Sequence, residues 1–264
     1  VRQQLNVSAP LGTSWDIHFG TYAESPINRI LEPWQAIVRA EESDLQPIRT
    51  TLAAITVKKG GISIGAFTKR MNNVPVVIPP PVFWAGAQTN EEGRLEMKSL
   101  ATQQFTGWDI SYTRERCILK DLAFYGYYSH SRANRRLDVW EIPHELDIPH
   151  RFYASADYAG FGRWSLGANI RIQSGTPYTP VPNYSALKSD NPLPALLGQV
   201  SKENSMRLPY SVSLNIRTQY SFTHGTFYFS VANVTNRENA IIHSYRGYIY
   251  DAGIMPGIGL SYSW

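Results

Sequence analysis

The chain has 264 residues and a formal net charge of +4, and only 17% of its residues are charged. This mild positive charge, without a clustered basic stripe, argues against binding to nucleic acid. The single cysteine, Cys117, excludes an internal disulfide and a zinc site built from cysteines. The sequence has no run of about 18 apolar residues, so no transmembrane helix is predicted, and no cofactor is expected.

Eleven β-strands are predicted, mostly as pairs joined by short turns and separated by long polar or proline-rich connections. The turn at Lys58–Gly61, with two adjacent glycines, is typical of a tight hairpin. A closing strand follows the last pair at residues 256–264. The predicted pairs are residues 2–9 with 14–23, 48–58 with 62–72, 102–116 with 120–131, 150–160 with 163–173, and 210–221 with 226–235.

Apolar and polar residues alternate most clearly in the predicted strands 163–173 and 210–221, and again in the closing strand. Because successive side chains of a strand point to opposite faces, each of these strands has one apolar and one polar face. A membrane barrel needs this pattern, since one face meets lipid and the other a wet lumen. The side chains predicted to face lipid are Trp164, Leu166, Ile170, Leu214, Ile216, Ile258 and Leu260.

Strand length and buried charge distinguish a membrane barrel from a soluble β-sandwich. The predicted strands have about ten residues, as a tilted membrane crossing requires, whereas strands of soluble proteins more often have five or six. Arg171 and Arg217 fall on polar strand faces, where a dry sandwich core would make them costly without partners. A solvated lumen accepts both. The sequence therefore favours an all-β, antiparallel transmembrane β-barrel with a polar interior.

The connections also differ in length in the way that outer-membrane barrels require, with short turns at one end and long loops at the other. Counted back from Trp264, every short turn falls at the end of the barrel where the chain finishes. Eleven is an odd number of strands, while bacterial single-chain barrels usually have an even number. The chain is therefore expected to form part of a larger barrel.

The last third of the chain contains several short aromatic and polar motifs whose order and spacing resemble those of a known family. These motifs are HRFYASADY at 150–158, WSLGA at 164–168, QSGTPYTPV at 173–181, VANVTNREN at 231–239 and GIGLSYSW at 257–264. Together they resemble the C-terminal barrel of TonB-dependent outer-membrane receptors. The segments 44–47 (DLQP) and 67–75 (FTKRMNNVP) are similar to earlier parts of that barrel, more loosely.

The resemblance implies an active importer of scarce nutrients, such as metal chelates, cobalamin or glycans. Receptors of this family have about 22 strands around a plug, and an inner-membrane complex that contacts the plug supplies the energy. Residues 1–264 match roughly the second half of such a barrel. They are expected to form one transmembrane β-barrel domain without a plug or an energy-coupling box, located in the bacterial outer membrane.

The candidate ligand contacts lie on the long connections. A proline-rich loop presents Phe83, Trp84 and Gln88, and stiff prolines expose such aromatic side chains at little entropic cost. These rings could instead pack against a neighbouring loop or lipid headgroups. Tyr178 and Tyr184 are the candidate contacts on the fourth long connection, where Gly175 and Pro177 could also serve only to end a strand.

Metal binding and catalysis are weaker alternatives. His144 and Glu145, on a long connection, could contribute to a metal site, but polar loop residues are more often simply solvated. Ser129 and His130 could belong to a hydrolase at the barrel rim. Adjacent strand residues point to opposite faces, however, so the two could not easily share a proton. We therefore expect that the chain is not an enzyme.

The sequence thus predicts an outer-membrane receptor or transporter barrel that takes up a bulky solute. The alternative is a structural barrel or scaffold subunit of an outer-membrane assembly, without transport activity. The expected partners are outer-membrane lipid and either companion envelope proteins or the missing N-terminal half of the barrel. A TonB-type energy-coupling complex is expected only if a plug exists.

Overall fold

The structure is a computed structural model that describes residues 2–9, 13–24, 46–78, 96–115, 120–137, 140–180, 203–244 and 247–262. All of the regular structure in these ranges is β-strand. No helix in them has the length and apolar character that crossing a membrane would need.

The described ranges contain sixteen strands. In chain order they are β1 Arg2–Ala9, β2 Thr13–Glu24, β3 Ile48–Lys59, β4 Ile62–Ile78, β5 Glu96–Arg114, β6 Leu122–Leu137, β7 Trp140–Pro143, β8 His150–Phe161, β9 Trp164–Gln173, β10 Pro177–Tyr178, β11 Met206–Arg207, β12 Ser211–Phe222, β13 Gly225–Ala232, β14 Ala240–Ser244, β15 Gly247–Tyr250 and β16 Met255–Tyr262.

Twelve of these strands form one antiparallel sheet. Its order is β1-β2-β3-β4-β5-β6-β8-β9-β12-β13-β16, and the short strand β7 pairs separately with β6. The eleven strands of the continuous path are those predicted from the sequence, and each predicted hairpin pairs as expected. Two small hairpins lie outside the sheet, β10 with β11 and β14 with β15.

Three strands extend further than the sequence pattern predicts. β4 continues to Ile78 and β5 starts at Glu96, because the pairing of these two strands survives register shifts around Val74. Such a bulge lets a strand accommodate Pro75, which cannot donate to the ladder. β6 likewise continues to Leu137, and β7 lies within residues 132–149, which the sequence predicts to be a long connection. The predicted strands end too soon because the prediction treats prolines and charged residues as signs of a loop.

The turn between β3 and β4 shows how the short connections fix the hairpins. Gly60 and Gly61 both have positive φ, 56° and 85°, as a two-residue hairpin turn of the primed type requires. A Cβ atom on Gly61 would lie 2.3 Å from the Thr113 carbonyl oxygen of the neighbouring β5. Only glycine fits there, because the obstacle is backbone and cannot move aside.

The register gives the sheet two chemically different faces. Residues directly opposite each other in neighbouring strands share a face, and the β9–β12 register places Ile170 opposite Leu214. The same face is apolar yet open, with exposed fractions of 47% at Trp164 and 71% at Ile258. We call it the apolar face. All the side chains predicted to face lipid share it: Trp164, Leu166, Ile170, Leu214, Ile216, Ile258 and Leu260.

The opposite face, here called the polar face, is also open to solvent. Arg217 and Asp157 form an ion pair of 2.7 Å on it, and their side chains are 66% and 47% exposed. Arg171 is exposed on the same face. A two-sheet sandwich would bury one face of this sheet against a second layer. Neither face has such a cover in the described part of the chain, which agrees with a barrel wall.

The two edge strands of the path run in the same direction. Neighbours in the path are antiparallel, so β1 and β16, the first and eleventh strands, are parallel to each other. No pairing joins these two edges within the described ranges. The short turns lie at one end of the sheet, and Tyr262 at the end of β16 pairs with Gly225 beside one of them. The long connections leave from the other end.

Candidate functional site

The candidate site lies where the polar face meets the long connections. A cavity of about 330 Å³ opens there, between the ends of β9 and β12 and the segments that follow them. Arg171 and Gln173 of β9 and Ser213 of β12 line one side, while Asn239 and Asp251 line the other. A cation, an anion and several neutral hydrogen-bonding groups thus converge on one small volume at the mouth of the proposed lumen.

Asn239 holds the loop side of this cavity in place, because its side-chain amide pairs with the backbone of β12 as a neighbouring strand would. Its side chain is 6% exposed; its Oδ1 accepts from the Val212 amide at 2.9 Å and its Nδ2 donates to the Val212 carbonyl at 3.1 Å. The Asp251 carboxylate accepts from the Asn239 amide at 3.0 Å and from Nδ2 at 3.1 Å. The side-chain amide therefore extends the backbone pairing of β12 and holds Asp251 beside the cavity.

Asn233 organises the turn that follows β13. It has a positive φ of 51° and is 4% exposed. Its Nδ2 donates to the Arg237 carbonyl at 2.8 Å, and its backbone amide donates to Asn215 Oδ1 at 2.9 Å. Asparagine commonly bonds nearby backbone groups in turns in this way.

A buried carboxylate, Asp147, ties two long connections together. Its side chain is 2% exposed and its Oδ1 accepts from the Ala133 amide at 2.7 Å. The Arg207 guanidinium binds Asp147 Oδ2 at 2.5 Å and also donates to the Gly175 carbonyl at 2.9 Å. Arg207 therefore joins the segment before β8 to both arms of the connection between β9 and β12.

Further contacts strengthen the same junction. Arg135 of β6 pairs with Glu203, and Asn204 donates from Nδ2 to the Pro143 carbonyl at 2.8 Å. The Asn204 amide also donates to Thr179 Oγ1 at 3.1 Å. The two ends of the fourth long connection are thus anchored on the third. Sequence reasoning missed this junction because its partners lie about 60 residues apart and follow no periodic pattern.

Tyr178 is the candidate ligand contact that the structure describes. Its ring stacks on His243 with centroids 4.6 Å apart and an interplanar angle of 19°. Tyr248 packs edge-on against His243 at 5.1 Å. Burial raises the pKa of the Tyr178 phenol, and a hydrogen bond to Tyr248 raises it further, so the group is neutral. Phe83, Trp84, Gln88 and Tyr184 lie outside the described residues.

The predicted metal and hydrolase alternatives find no support in the geometry. His144 Nδ1 accepts from the Leu146 amide at 3.0 Å, and its ring packs 5.1 Å from Phe105. Within the described ranges no three metal-binding side chains come together. Ser129 and His130 point to opposite faces of β6, since Ser129 is opposite Asp109 and His130 opposite Trp108.

Solved structures share this fold. The ferric-catecholate import receptor Fiu of Escherichia coli K12 matches 97% of the chain with a TM-score of 0.67 at 12% identity. The siderophore receptor PiuA of Acinetobacter baumannii matches 99%, with a TM-score of 0.64 at 9% identity. The copper transporter OprC matches 100%, with a TM-score of 0.64 at 10% identity. The fold is the barrel fold of TonB-dependent receptors.

The match covers only part of each receptor. The chain spans about a third of the length of the solved receptors, 34% for Fiu, 35% for PiuA and 39% for OprC. This share agrees with the C-terminal half of a barrel. All three are described as receptors or transporters, not as enzymes. No family model and no curated protein matches the sequence.

Replacing Arg207 by Met should lower the free energy of unfolding by about 2–3 kcal/mol, because the buried Asp147 loses its close cationic partner. The matched variant Arg217→Met breaks the exposed pair with Asp157 and should cost less than about 1 kcal/mol. Urea unfolding of the protein in detergent micelles measures both values. Equal costs for the two variants would contradict the role of Arg207 as a buried junction.

Acid should loosen the connection between β7 and β8. Burial lowers the pKa of His144, with Arg135 adding to the effect and Glu145 opposing it. A histidine whose folded pKa is depressed stabilises the fold above its unfolded pKa of about 6.5 and loses that contribution as the pH falls. Protonation of Nδ1 also removes the acceptor of the Leu146 amide. The protection factor of the Leu146 amide, which is the intrinsic exchange rate divided by the observed one, should therefore fall as the pH drops below about 6.5.

The variant His144→Gln serves as the control for this pH effect, since it removes the titrating group. In this variant the protection factor of the Leu146 amide should no longer depend on pH in that range. His224→Gln, in a turn at the other end of the sheet, should leave the pH dependence unchanged. An unchanged pH profile in His144→Gln would refute the assignment to His144.

Proposed function

We propose that residues 1–264 form the C-terminal half of the wall of an outer-membrane receptor that imports a solute, in the bacterial outer membrane. The proposal rests on one observation. A two-faced antiparallel sheet of eleven strands superposes on receptor barrels over nearly its whole length. An apolar face open along its length suits a bilayer, and an open polar face suits a wet lumen.

In this arrangement the apolar face contacts lipid. The residues assigned to that contact are Trp164, Leu166, Ile170, Leu214, Ile216, Ile258 and Leu260, which share the face by register. Trp164 lies near the short turns, where an aromatic ring belongs at a membrane interface. The exposed pair of Arg217 with Asp157 and the exposed Arg171 then face the lumen.

The wall requires an odd number of additional strands. If β16 paired with β1 of the same chain, or of another copy in the same membrane orientation, the seam would be parallel. Antiparallel closure therefore needs a complement whose strand number is odd, and a receptor barrel of about 22 strands leaves eleven. The complement comes from the N-terminal half of the same barrel or from companion envelope proteins.

The solute enters from the side of the long connections. Tyr178 and the cavity lined by Arg171, Asn239 and Asp251 form the described part of the entrance. Phe83, Trp84, Gln88 and Tyr184 remain predicted contacts for a bulky solute. A TonB-type complex drives the import if a plug fills the completed barrel.

The lipid contact is tested by Leu214→Arg. An arginine on the lipid face costs about 2–4 kcal/mol near the bilayer midplane and much less at an interface. Gln219→Arg, on the polar face of the same strand, should change the free energy of unfolding by less than about 1 kcal/mol. Urea unfolding from lipid vesicles gives both values, and a cost near zero for Leu214→Arg would reject a bilayer on the apolar face.

Uptake is tested in cells that express the full-length protein, with radiolabelled ferric chelates, copper, cobalamin and oligosaccharides as probes. One of these probes should accumulate, and Tyr178→Ala should weaken its half-saturation by about tenfold, as the loss of an aromatic contact commonly does. Tyr178→Phe keeps the ring and should stay close to wild type. If no probe accumulates while the protein remains in stable complexes with other envelope proteins, that result would favour the alternative of a scaffold subunit without transport activity.

A further inference from the structure

A band of arginines crosses the apolar face near the long-connection end. Arg49 of β3 and Arg70 of β4 lie on neighbouring strands, offset by two residues, since Arg70 is opposite Thr51. Arg132 of β6 shares the face, because the register runs from Arg70 through Gln104 to Asn134, two residues further along β6. We call Arg49, Arg70 and Arg132 the arginine band.

The band is compact and open. Strand spacing and residue rise place the Cα atoms of Arg49 and Arg70 about 8 Å apart, and those of Arg70 and Arg132 about 12 Å apart. All three side chains are exposed, and that of Arg132 is 56% exposed. On β9, β12, β13 and β16 this face carries mostly apolar or aromatic side chains and no arginine or lysine, so the positive charge of the face is uneven from strand to strand.

Aromatic rings lie directly beneath the band. Trp108 packs against Tyr128 at 5.4 Å and lies 6.2 Å from His130. His130 lies 4.9 Å from His150, whose Nδ1 is 2.8 Å from the Tyr128 hydroxyl. Such amphipathic rings mark the depth where hydrocarbon gives way to headgroups. The arginines, one to three rows closer to the long connections, therefore lie at headgroup depth.

The acidic side chains near the band make closer contacts with other groups. Asp147 lies 3.8 Å from Arg132, but it is already bound by Arg207 at 2.5 Å and by the Ala133 amide. Glu141 accepts from Asn134 Nδ2 at 2.7 Å. Arg70 donates to the neutral Asn72 at 3.1 Å. Among the described residues, no carboxylate pairs with Arg49 or Arg70.

We propose that the arginine band binds the phosphate groups of lipids in the leaflet on the long-connection side. The inference rests on the proposed membrane location. Guanidinium groups bind phosphate oxygens through paired N–H donors, and basic side chains at a membrane surface attract anionic headgroups. The occupant must be apolar where it meets Trp108 and Ile110 and anionic above them. A phosphorylated lipid has that division, whereas a free anion or a soluble protein does not.

The test compares phosphatidic acid with diacylglycerol of the same acyl chains, binding to the full-length protein in neutral detergent by native mass spectrometry. The band variant combines Arg49→Gln, Arg70→Gln and Arg132→Gln. A basic residue near an anionic surface contributes about fivefold to binding, so this variant should bind phosphatidic acid at least about tenfold more weakly. Diacylglycerol binding should be the same in both proteins.

The matched control removes three cations from the opposite end of the sheet, through Lys59→Gln, Lys120→Gln and Arg163→Gln. It should retain phosphatidic acid within about twofold of wild type. Arginine-to-lysine replacements at Arg49, Arg70 and Arg132 should restore most of the binding, because the charge is kept. If the control loses as much affinity as the band variant, or if inorganic phosphate alone binds at the band as tightly as the lipid, the inference is overturned.

Insertion into vesicles of phosphatidylcholine separates this inference from the proposed function. If the wild-type protein inserts into these vesicles and spans them but shows no preference for phosphatidic acid, the proposed membrane location stands. The inference of a lipid-binding site is then overturned. A wild-type protein that does not insert at all overturns both. The band variant should insert as well as wild type does, because its apolar face is intact.

Discussion

Backbone pairing in an antiparallel ladder is the constraint on which the rest of this structure depends. Opposite residues of neighbouring strands share a face, so the pairing register alone places the apolar residues of each strand on the same face as those of its neighbour. Ten consecutive pairings therefore carry one apolar face and one polar face from β1 to β16. A slip of one residue at any hairpin would exchange the two faces beyond it. Tight turns such as Gly60–Gly61 prevent that slip.

The two ends of the sheet are built by different means. At the short-turn end, glycine geometry and backbone contacts are sufficient, as the 2.3 Å approach of a Gly61 Cβ to Thr113 illustrates. At the other end the chain leaves the ladder, and buried side chains take over the backbone's hydrogen bonds. Asn239 continues β12, Asn233 closes a turn, and Asp147 with Arg207 joins two connections. Hydrogen bonds and an ion pair thus hold in place the chain segments around the candidate entrance.

The sequence predicts what is periodic and local, and little else. Alternation around Ile170 and Leu214, together with the glycine turns, was sufficient to find eleven strands and their pairing. The predicted strands stop before Pro75 and after Ser131, whereas the observed strands continue. A bulge accommodates the proline, and the added pairing with β7 accommodates the charged residues. The β14–β15 hairpin lacked a clear alternation. The junction of Asp147 with Arg207 depends on how distant connections fold back over the sheet, which no local pattern records.

The unequal lengths of the connections have a consequence for how such a chain can change over time. The turns at residues 60–61, 162–163 and 223–224 have no slack, so an added residue there would shift every downstream position against its neighbour. The segments between hairpins begin and end outside the ladder, and they can lengthen without disturbing it. Insertions and deletions among related sequences should therefore collect at the end of the sheet that carries the long connections, where the length of the chain can change while the ladder stays the same.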